Sequence, residues 1–340
     1  MRRIDFIYMV LCGCMCLSAC AEQEEWTDSN ISLRAEVEHV ESMSRSGYAT
    51  PVTDNNLRAT VWFSTDPNKY PEGESLATET NIPGHYVIDF KGENAVFPNV
   101  DSEDFRPRYP VDDTPVYCVG FYPHTDWTYV EGEEEPSKVT HTISGYEDLM
   151  FAAPIKGSWN NHFGRQQFRH LLTWLKVCVC ATTTEAGSYW GKLKKITLKD
   201  VPAGLQINDL SKMYTQGKMT GDDVSPLYEY DDNGEKEEYD VDIMDEDSGM
   251  DLGTIIQDVG SVFCYPQSSY TLVIECENWN IEKTIELKPL DGSGNISAFP
   301  AGLQYVLILN FHPFNVVEGV CTLKEWNAQN EDLYPDPVTQ

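Results

Sequence analysis

The sequence predicts an all-β fold. Short runs rich in Val, Ile, Tyr, Phe and Trp recur along the chain, and several alternate apolar with polar residues, as strands with one buried face do. Clusters of Gly, Pro, Asn and Asp separate these runs, whereas helical periodicity is scarce. With 340 residues, the chain is long enough for two domains with their own hydrophobic cores.

The first element is an export signal over residues 1–19. Arg2 and Arg3 precede an apolar run that is too short to cross a bilayer as a helix. The run ends in small residues before Cys20, which resembles a bacterial lipobox, where this cysteine carries the lipid (palmitate) and becomes the mature N-terminus. We expect a lipidated acidic tether over residues 20–30. An ordinary secretory signal and a short membrane anchor are the alternatives.

The first strand of the mature chain is predicted over residues 31–37, where Ile31, Leu33, Ala35 and Val37 alternate with polar residues. A polar stretch that contains Arg45 follows. Other strands of the first half are predicted at residues 57–64, 85–90, 116–122 and 149–153. Residues 154–167, rich in Gly, Asn and Ser, are expected to connect a first domain over residues 31–164 to a second over residues 165–340.

The second half repeats the strand pattern. Strands are predicted at residues 171–181, 193–198, 261–265, 270–277 and 305–311. Residues 222–251 are dense in Asp and Glu and poor in aliphatic side chains, so we expect a long exposed loop there.

Charge and cysteine usage limit the partners and the chemistry. The net charge of −31 would repel phosphate backbones, so nucleic acid is not an expected partner. Three of the ten cysteines leave with the signal, and Cys20 carries lipid. Six remain, without CxxC spacing and in apolar runs, and we expect buried free thiols there, with disulfides as the alternative: Cys118, Cys178, Cys180, Cys264, Cys276 and Cys321.

No motif predicts catalysis, a cofactor or a metal. The acidic turn at residues 231–234 lacks EF-hand spacing, and the seven histidines show no HxxxH or HxH pairing. His170, at the start of an apolar run, is expected to be a hydrogen-bonded structural residue. No nucleophile elbow, P-loop or strand-linked GxGxxG is present, so we expect a protein that is not an enzyme.

Aromatic residues in or near the predicted loops support a second hypothesis, a surface glycan-binding lipoprotein. Core packing is the other explanation for these side chains, which are Trp62, Trp127, Tyr129, Trp190 and Trp279.

Three stretches resemble the fimbrillin family, the Bacteroidetes-type pilins. They are residues 168–172 (Phe-Arg-His-Leu-Leu) leading into 175–177 (Leu-Lys-Val), residues 263–267 (Phe-Cys-Tyr-Pro-Gln), and residues 301–305 (Ala-Gly-Leu-Gln-Tyr) with Trp326 closing the last strand. Residues 44–46 (Ser-Arg-Ser) look like the Thr-Arg-Ala step of the family. With the lipobox, the resemblance spans nearly the whole mature chain.

The resemblance implies a lipoprotein precursor with two tandem transthyretin-like β-sandwich domains, exposed at the outer membrane or in a fimbria. It also implies trimming by a trypsin-like protease after Arg45, which would expel the strand over residues 31–37 so that another subunit adds a strand in its place. A stalk, tip or anchor role stays open, because the tail over residues 327–340 contains Pro335 and Pro337 and little apolar alternation. A host protein or glycan is the expected receptor.

Overall fold

The computed structural model describes residues 31–37, 57–67, 69, 84–91, 94–97, 107–130, 138–210, 223–286, 301–314 and 316–325. Its elements, in chain order, are β1 (Arg34–Val37), β2 (Arg58–Ser64), β3 (Gly84–Lys91), β4 (Asn94–Val96), β5 (Val116–Tyr122), β6 (Thr128–Val130), β7 (Lys138–Thr142), β8 (Met150–Gly157), β9 (Arg165–His170), β10 (Thr173–Ala181), α1 (Thr184–Trp190), β11 (Lys192–Lys199), β12 (Gly204–Ile207), β13 (Val224–Leu227), β14 (Val241–Asp251), β15 (Gln257–Cys264), β16 (Ser269–Cys276), β17 (Asn280–Glu286), β18 (Leu303–His312) and β19 (Val316–Glu325). The predicted all-β fold is confirmed. In the described part of the chain, no helix is long and apolar enough to span a membrane.

A seven-stranded sheet forms the first half, in the order β1-β9-β8-β5-β2-β3-β4. Its pairs are antiparallel except β1 with β9. The burial of β3 alternates residue by residue, so one face of that strand enters the core. Phe90 of β3 and Phe168 of β9 meet edge to face in that core, with ring centroids 5.7 Å apart.

Two four-stranded sheets form a sandwich in the second half, in the orders β15-β10-β18-β19 and β14-β11-β16-β17. Their facing residues share one buried apolar cluster, to which β10 contributes Val177 and Val179 and β11 contributes Ile196 and Leu198. The helix α1 begins at the N-cap Thr183, whose side chain accepts a hydrogen bond from the backbone of Ala186. Trp190 at the end of α1 is fully buried in this cluster, which fixes the helix to the sandwich.

A small sheet joins the two halves of the chain. Its order is β13-β12-β7-β6, so β7 of the first half pairs with β12 of the second. The buried cluster beside it mixes both halves, with Phe121 and Leu149 on one side and Trp174, Phe263 and Tyr265 on the other. The halves therefore share a core at their junction.

Half of the connection predicted at residues 154–167 is strand. β8 runs through Pro154 to Gly157, and β9 pairs with β8, which extends the first sheet past residue 164 to His170. Pro154 is tolerated because the β5–β8 register is irregular between Cys118 and Gly120, where a missing ladder donor costs little. The change between the two sheet systems therefore falls after β9.

The expectation of a long exposed loop over residues 222–251 is wrong. This range contains β13 and β14, and Val241, Ile243 and Met244 are buried. β14 pairs with the lysine-rich β11, and Lys195 Nζ lies 2.8 Å from Asp242 and 3.5 Å from Asp245. These ion pairs offset part of the carboxylate charge, and the buried apolar residues hold the acidic strand on the sheet.

Candidate functional site

The N-terminal segment, residues 31–37, is the candidate for an exchangeable strand. Its last four residues form β1, an edge strand of the seven-stranded sheet. Ile31, Leu33 and Ala35 expose 3%, 2% and 1% of their surface, while Ser32 and Arg34 face solvent. The predicted alternation is confirmed for these positions.

Both sides of the N-terminal segment are hydrogen-bonded to the sheet. On one side β1 runs parallel to β9, with Val37 as the Cα partner of Phe168. On the other side the carbonyl of Leu33 accepts a hydrogen bond from the backbone N–H of Ala95 in β4, over 3.2 Å. The N–H of Ile31 donates to the carbonyl of Pro107 over 2.8 Å. Because β9 and β4 belong to opposite ends of the sheet, this segment closes it.

Removing the segment would open an apolar groove. Ile31, Leu33 and Ala35 belong to the buried cluster that also contains Phe90 and Phe168. Burying one Ile or Leu side chain stabilises a protein by about 1.5–3 kcal/mol, so the empty groove would be costly in water. Its two edges would also present unpaired backbone groups, which favours the binding of another extended strand.

Gln166 is a polar side chain within this apolar groove. It lies on β9 as the Cα partner of Ala35 and is fully buried. Its Nε2 donates to the Sγ of Cys118 over 3.2 Å and to the carbonyl of the same residue over 3.4 Å. Burial raises the pKa of the Cys118 thiol well above its ordinary value, although the hydrogen bond from Gln166 lowers it in part. The sequence does not point to this residue, because a glutamine in a polar stretch carries no signal of its burial.

The fold is shared with two solved proteins from Bacteroides. No family model matches the chain, and no curated protein matches it. The structure of a proposed cell adhesion protein from Bacteroides uniformis is 16% identical in sequence, covers 88% of this chain and 99% of its own, and has a TM-score of 0.50. A second proposed cell adhesion protein, from Bacteroides ovatus, is also 16% identical over the same shares, with a TM-score of 0.51. At this identity the likeness establishes the fold.

The other sequence predictions concern lipidation at Cys20, cleavage after Arg45, metal binding and the role of His170. Cys20 and Arg45 lie outside the described residues, as do the ranges 1–19 and 20–30. In the described part of the chain, no group of three His, Cys, Asp or Glu side chains is placed to hold a metal ion. His170 is buried, and its Nδ1 lies 2.8 Å from the Oδ2 of Asp148, so the structural assignment of this histidine is confirmed.

The aromatic residues named for glycan binding divide by exposure. Trp62 and Trp190 are core residues. Trp127 is half-buried, with its Nε1 donating to the carbonyl of Pro123, and Tyr129 packs beside Trp62 with ring centroids 5.7 Å apart. Trp279 alone of these five is exposed, by 40%.

The six cysteines are free in the structure, and all except the partly exposed Cys321 are buried, which confirms the prediction of free thiols. Burial raises the pKa of Cys264, Cys276 and Cys321 to about 12. At pH 8 such a thiol is ionised in about 1 molecule in 10,000, against about a quarter at an ordinary pKa of 8.5.

We therefore expect iodoacetamide to leave the thiols of the native 21–340 chain at pH 8 almost unmodified, and to modify all six after unfolding in guanidinium. Intact mass measures both results. Cys321→Ser is the control, because Cys321 is the partly exposed thiol and should account for any slow reaction. Fast alkylation of a second thiol in the native chain would contradict the burial described above.

Leu33→Ala is expected to lower the free energy of unfolding by roughly 2–5 kcal/mol, because it removes a buried side chain from the closing segment. Ser32→Ala, its exposed neighbour, should change that free energy by less than about 0.5 kcal/mol. Urea unfolding followed by circular dichroism measures both. Equal effects of the two substitutions would show that the segment does not contribute to the core.

Proposed function

We propose that this protein is a cell-surface adhesion protein of a fimbria-type assembly, without catalytic activity. In this proposal the signal peptide over residues 1–19 directs export of the protein, and Cys20 carries the lipid. The tether over residues 20–30 then connects the protein to the outer membrane. Support for the adhesion role comes from the fold that it shares with two proposed cell adhesion proteins.

Assembly is proposed to proceed by strand exchange. The observation that carries this proposal is the N-terminal segment, which fills a groove with one apolar face and closes the sheet at both of its ends. Cleavage after Arg45 would free the segment from the body of the protein. A strand from another subunit would then restore the lost backbone hydrogen bonds and the apolar contacts.

Two other arginines near the N-terminus are poor substrates in the folded protein. Arg34 lies in β1, which is paired with β9, and Arg58 lies in β2 between β3 and β5. Arg58 also forms an ion pair with Asp89, with 3.4 Å between Nε and Oδ1. A trypsin-like protease needs an accessible, extended stretch of chain, so pairing in a sheet protects both residues. Of the three arginines, Arg45 is therefore the proposed cleavage site.

We also propose two sandwich units, divided after β9 rather than at residue 164. The first unit is the closed sheet that receives the exchanged strand, and the second is the sandwich of the two four-stranded sheets. Pro335 and Pro337 in the tail cannot donate ladder hydrogen bonds, which weakens the case for a stalk subunit that passes a C-terminal strand onward. Tip and anchor roles need no such donation.

Limited trypsin digestion of the soluble 21–340 chain tests this proposal. Intact mass locates the cut, and electron microscopy shows whether filaments form. We expect a cut after Arg45, loss of the N-terminal segment, and either filaments or addition of a strand from a partner subunit. A stable monomer cut after Arg45, or a first cut inside β1 or β2, would contradict strand exchange. Arg45→Ala is the matched control and should abolish the cut.

A further inference from the structure

Three surface aromatic side chains converge at one end of the second sandwich. Tyr189 comes from α1, Trp279 from the turn between β16 and β17, and Phe314 from the turn between β18 and β19. The rings of Tyr189 and Trp279 stack with centroids 5.3 Å apart and planes at 13°. Phe314 lies 6.1 Å from Tyr189, centroid to centroid. We call these three residues the aromatic patch.

Hydrogen bonds hold the patch in place. The carbonyl of Tyr189 accepts from the indole Nε1 of Trp279 over 3.2 Å and from the Nδ2 of Asn278 over 3.1 Å. Beneath the patch, the Nε1 of Trp190 donates to the carbonyl of His312 over 2.6 Å, which ties α1 to the β18 end. Tyr189 and Trp279 are thus positioned before any ligand arrives, which reduces the entropy cost of binding.

Phe314 occupies an unfavourable position for a large apolar residue. It exposes 83% of its surface, and its backbone φ of 66° lies in the left-handed region, where Gly or Asn is favoured over a bulky residue. Neither core packing nor turn geometry accounts for an aromatic ring at this position. Strained, exposed apolar residues of this kind occur at binding sites.

The surroundings of the patch indicate the ligand. Its neighbours Ser188, Glu277, Asn278 and Asn280 are exposed and polar, so they can exchange hydrogen bonds with hydroxyl groups. A patch of three residues is far smaller than a typical protein interface, to which each partner contributes about 20–30 residues. The size of the patch therefore favours a small ligand over a protein. The net charge of −31 disfavours anionic ligands, including phosphorylated headgroups and sulfated or sialylated sugars.

We propose that the aromatic patch binds a neutral, pyranose-containing glycan. Tyr189 stacks on one face of Trp279, and Trp279 still exposes 40% of its surface, so part of this residue remains accessible to a ligand. The C–H face of a pyranose packs on such a ring, while its rim of hydroxyl groups meets the polar neighbours. The proposal rests on the surface adhesion role. It does not depend on strand exchange, since the patch and the N-terminal segment lie in different sheet systems.

Native affinity electrophoresis of the 21–340 chain tests the patch. The gels contain yeast mannan, glycogen, xyloglucan or arabinogalactan, with heparin as the anionic comparison. Trp279→Ala removes the exposed indole, and Phe314→Asn removes the ring while keeping a residue that tolerates the left-handed backbone. Tyr230→Ala is the matched control, because Tyr230 is an aromatic residue of 62% exposure outside the patch. Circular dichroism confirms that each variant is folded.

We expect at least one of the neutral polysaccharides to slow the migration of the protein in the gel. Heparin should not slow it. Trp279→Ala and Phe314→Asn should each weaken that retention about tenfold, and Tyr230→Ala should leave it unchanged. Absence of retention in all four neutral gels would overturn the proposal, as would equal retention of all variants. Loss of self-association in the two patch variants without any retention would assign the patch to a protein partner instead. If trypsin-cut chains assemble normally while no glycan binds, the patch proposal fails and the strand-exchange proposal stands.

Discussion

A disulfide between Arg34→Cys and Arg165→Cys is expected to block assembly after proteolysis. These two residues are Cα partners in the β1–β9 register, and both face solvent, so the cross-link lies outside the core. After cleavage at Arg45 the N-terminal segment would stay attached to β9 and keep the groove filled. We expect no assembly of the oxidised protein, as seen by electron microscopy and sedimentation, and recovery of assembly after reduction.

The native thiols do not confuse this experiment. Five of the six are buried and Cys321 is only partly exposed, so mild oxidation joins the introduced pair, and a reductant then opens that disulfide. Arg34→Ala with Arg165→Ala is the matched control, since it removes the same charges without a cross-link. Assembly of the oxidised, cleaved protein at the rate of this control would show that β1 need not leave.

Asp148→Ala is expected to lower the free energy of unfolding by about 1–3 kcal/mol, because it removes a hydrogen-bond partner from a buried polar group. Asp148 and His170 expose 2% and 4% of their surface, and the substitution removes the carboxylate 2.8 Å from a buried imidazole. The pair lies where β8 meets β9, next to the junction between the halves, so the loss should reach both sheet systems. Thermal and urea unfolding by circular dichroism measure the change.

Glu147→Ala is the control for this prediction, because Glu147 is the exposed neighbour of Asp148. It should change the free energy of unfolding by less than about 0.5 kcal/mol. A loss below about 1 kcal/mol in Asp148→Ala would mean that solvent or other groups replace the carboxylate, and the pair would then not secure the junction.

Strands rich in β-branched and aromatic residues could be predicted from the sequence. The runs around Val61, Ile88 and Val119, together with β10, β16 and β18, combine β-branched and aromatic residues with clear breakers on each side. The apolar face of the N-terminal segment was visible from its alternation, since Ile31, Leu33 and Ala35 follow a period of two.

Features that depend on distant partners could not be predicted. β14 reads as an acidic loop because its stabilising lysines lie on β11, some fifty residues away. β7 and β12 carry few apolar residues each, and they become strands by pairing with each other across the two halves and with β6 and β13. Arg165 to His170 resembles a polar linker until β8 pairs with it. In each case tertiary contacts override local composition.

The candidate sites, like these strands, depend on contacts between residues far apart in sequence. The sequence makes Trp279 a candidate for ligand binding from its place near a loop, but it does not point to Tyr189 and Phe314, because they come from a short helix and a turn far apart in sequence. Likewise, nothing in the sequence shows that the N-terminal segment contacts β4 through Leu33 while it pairs with β9. Convergence of this kind becomes visible only in the folded chain.

Replacement of the N-terminal segment by a separate strand tests the central claim most directly. The chain over residues 46–340 is refolded with a fluorescent peptide of residues 29–38, and fluorescence anisotropy measures binding. We predict saturable binding that raises the melting temperature of the chain, and binding about tenfold weaker or more for a peptide with Ile31→Asp and Leu33→Asp. If the chain folds without the peptide and does not bind it, or if both peptides bind equally, the groove does not exchange strands.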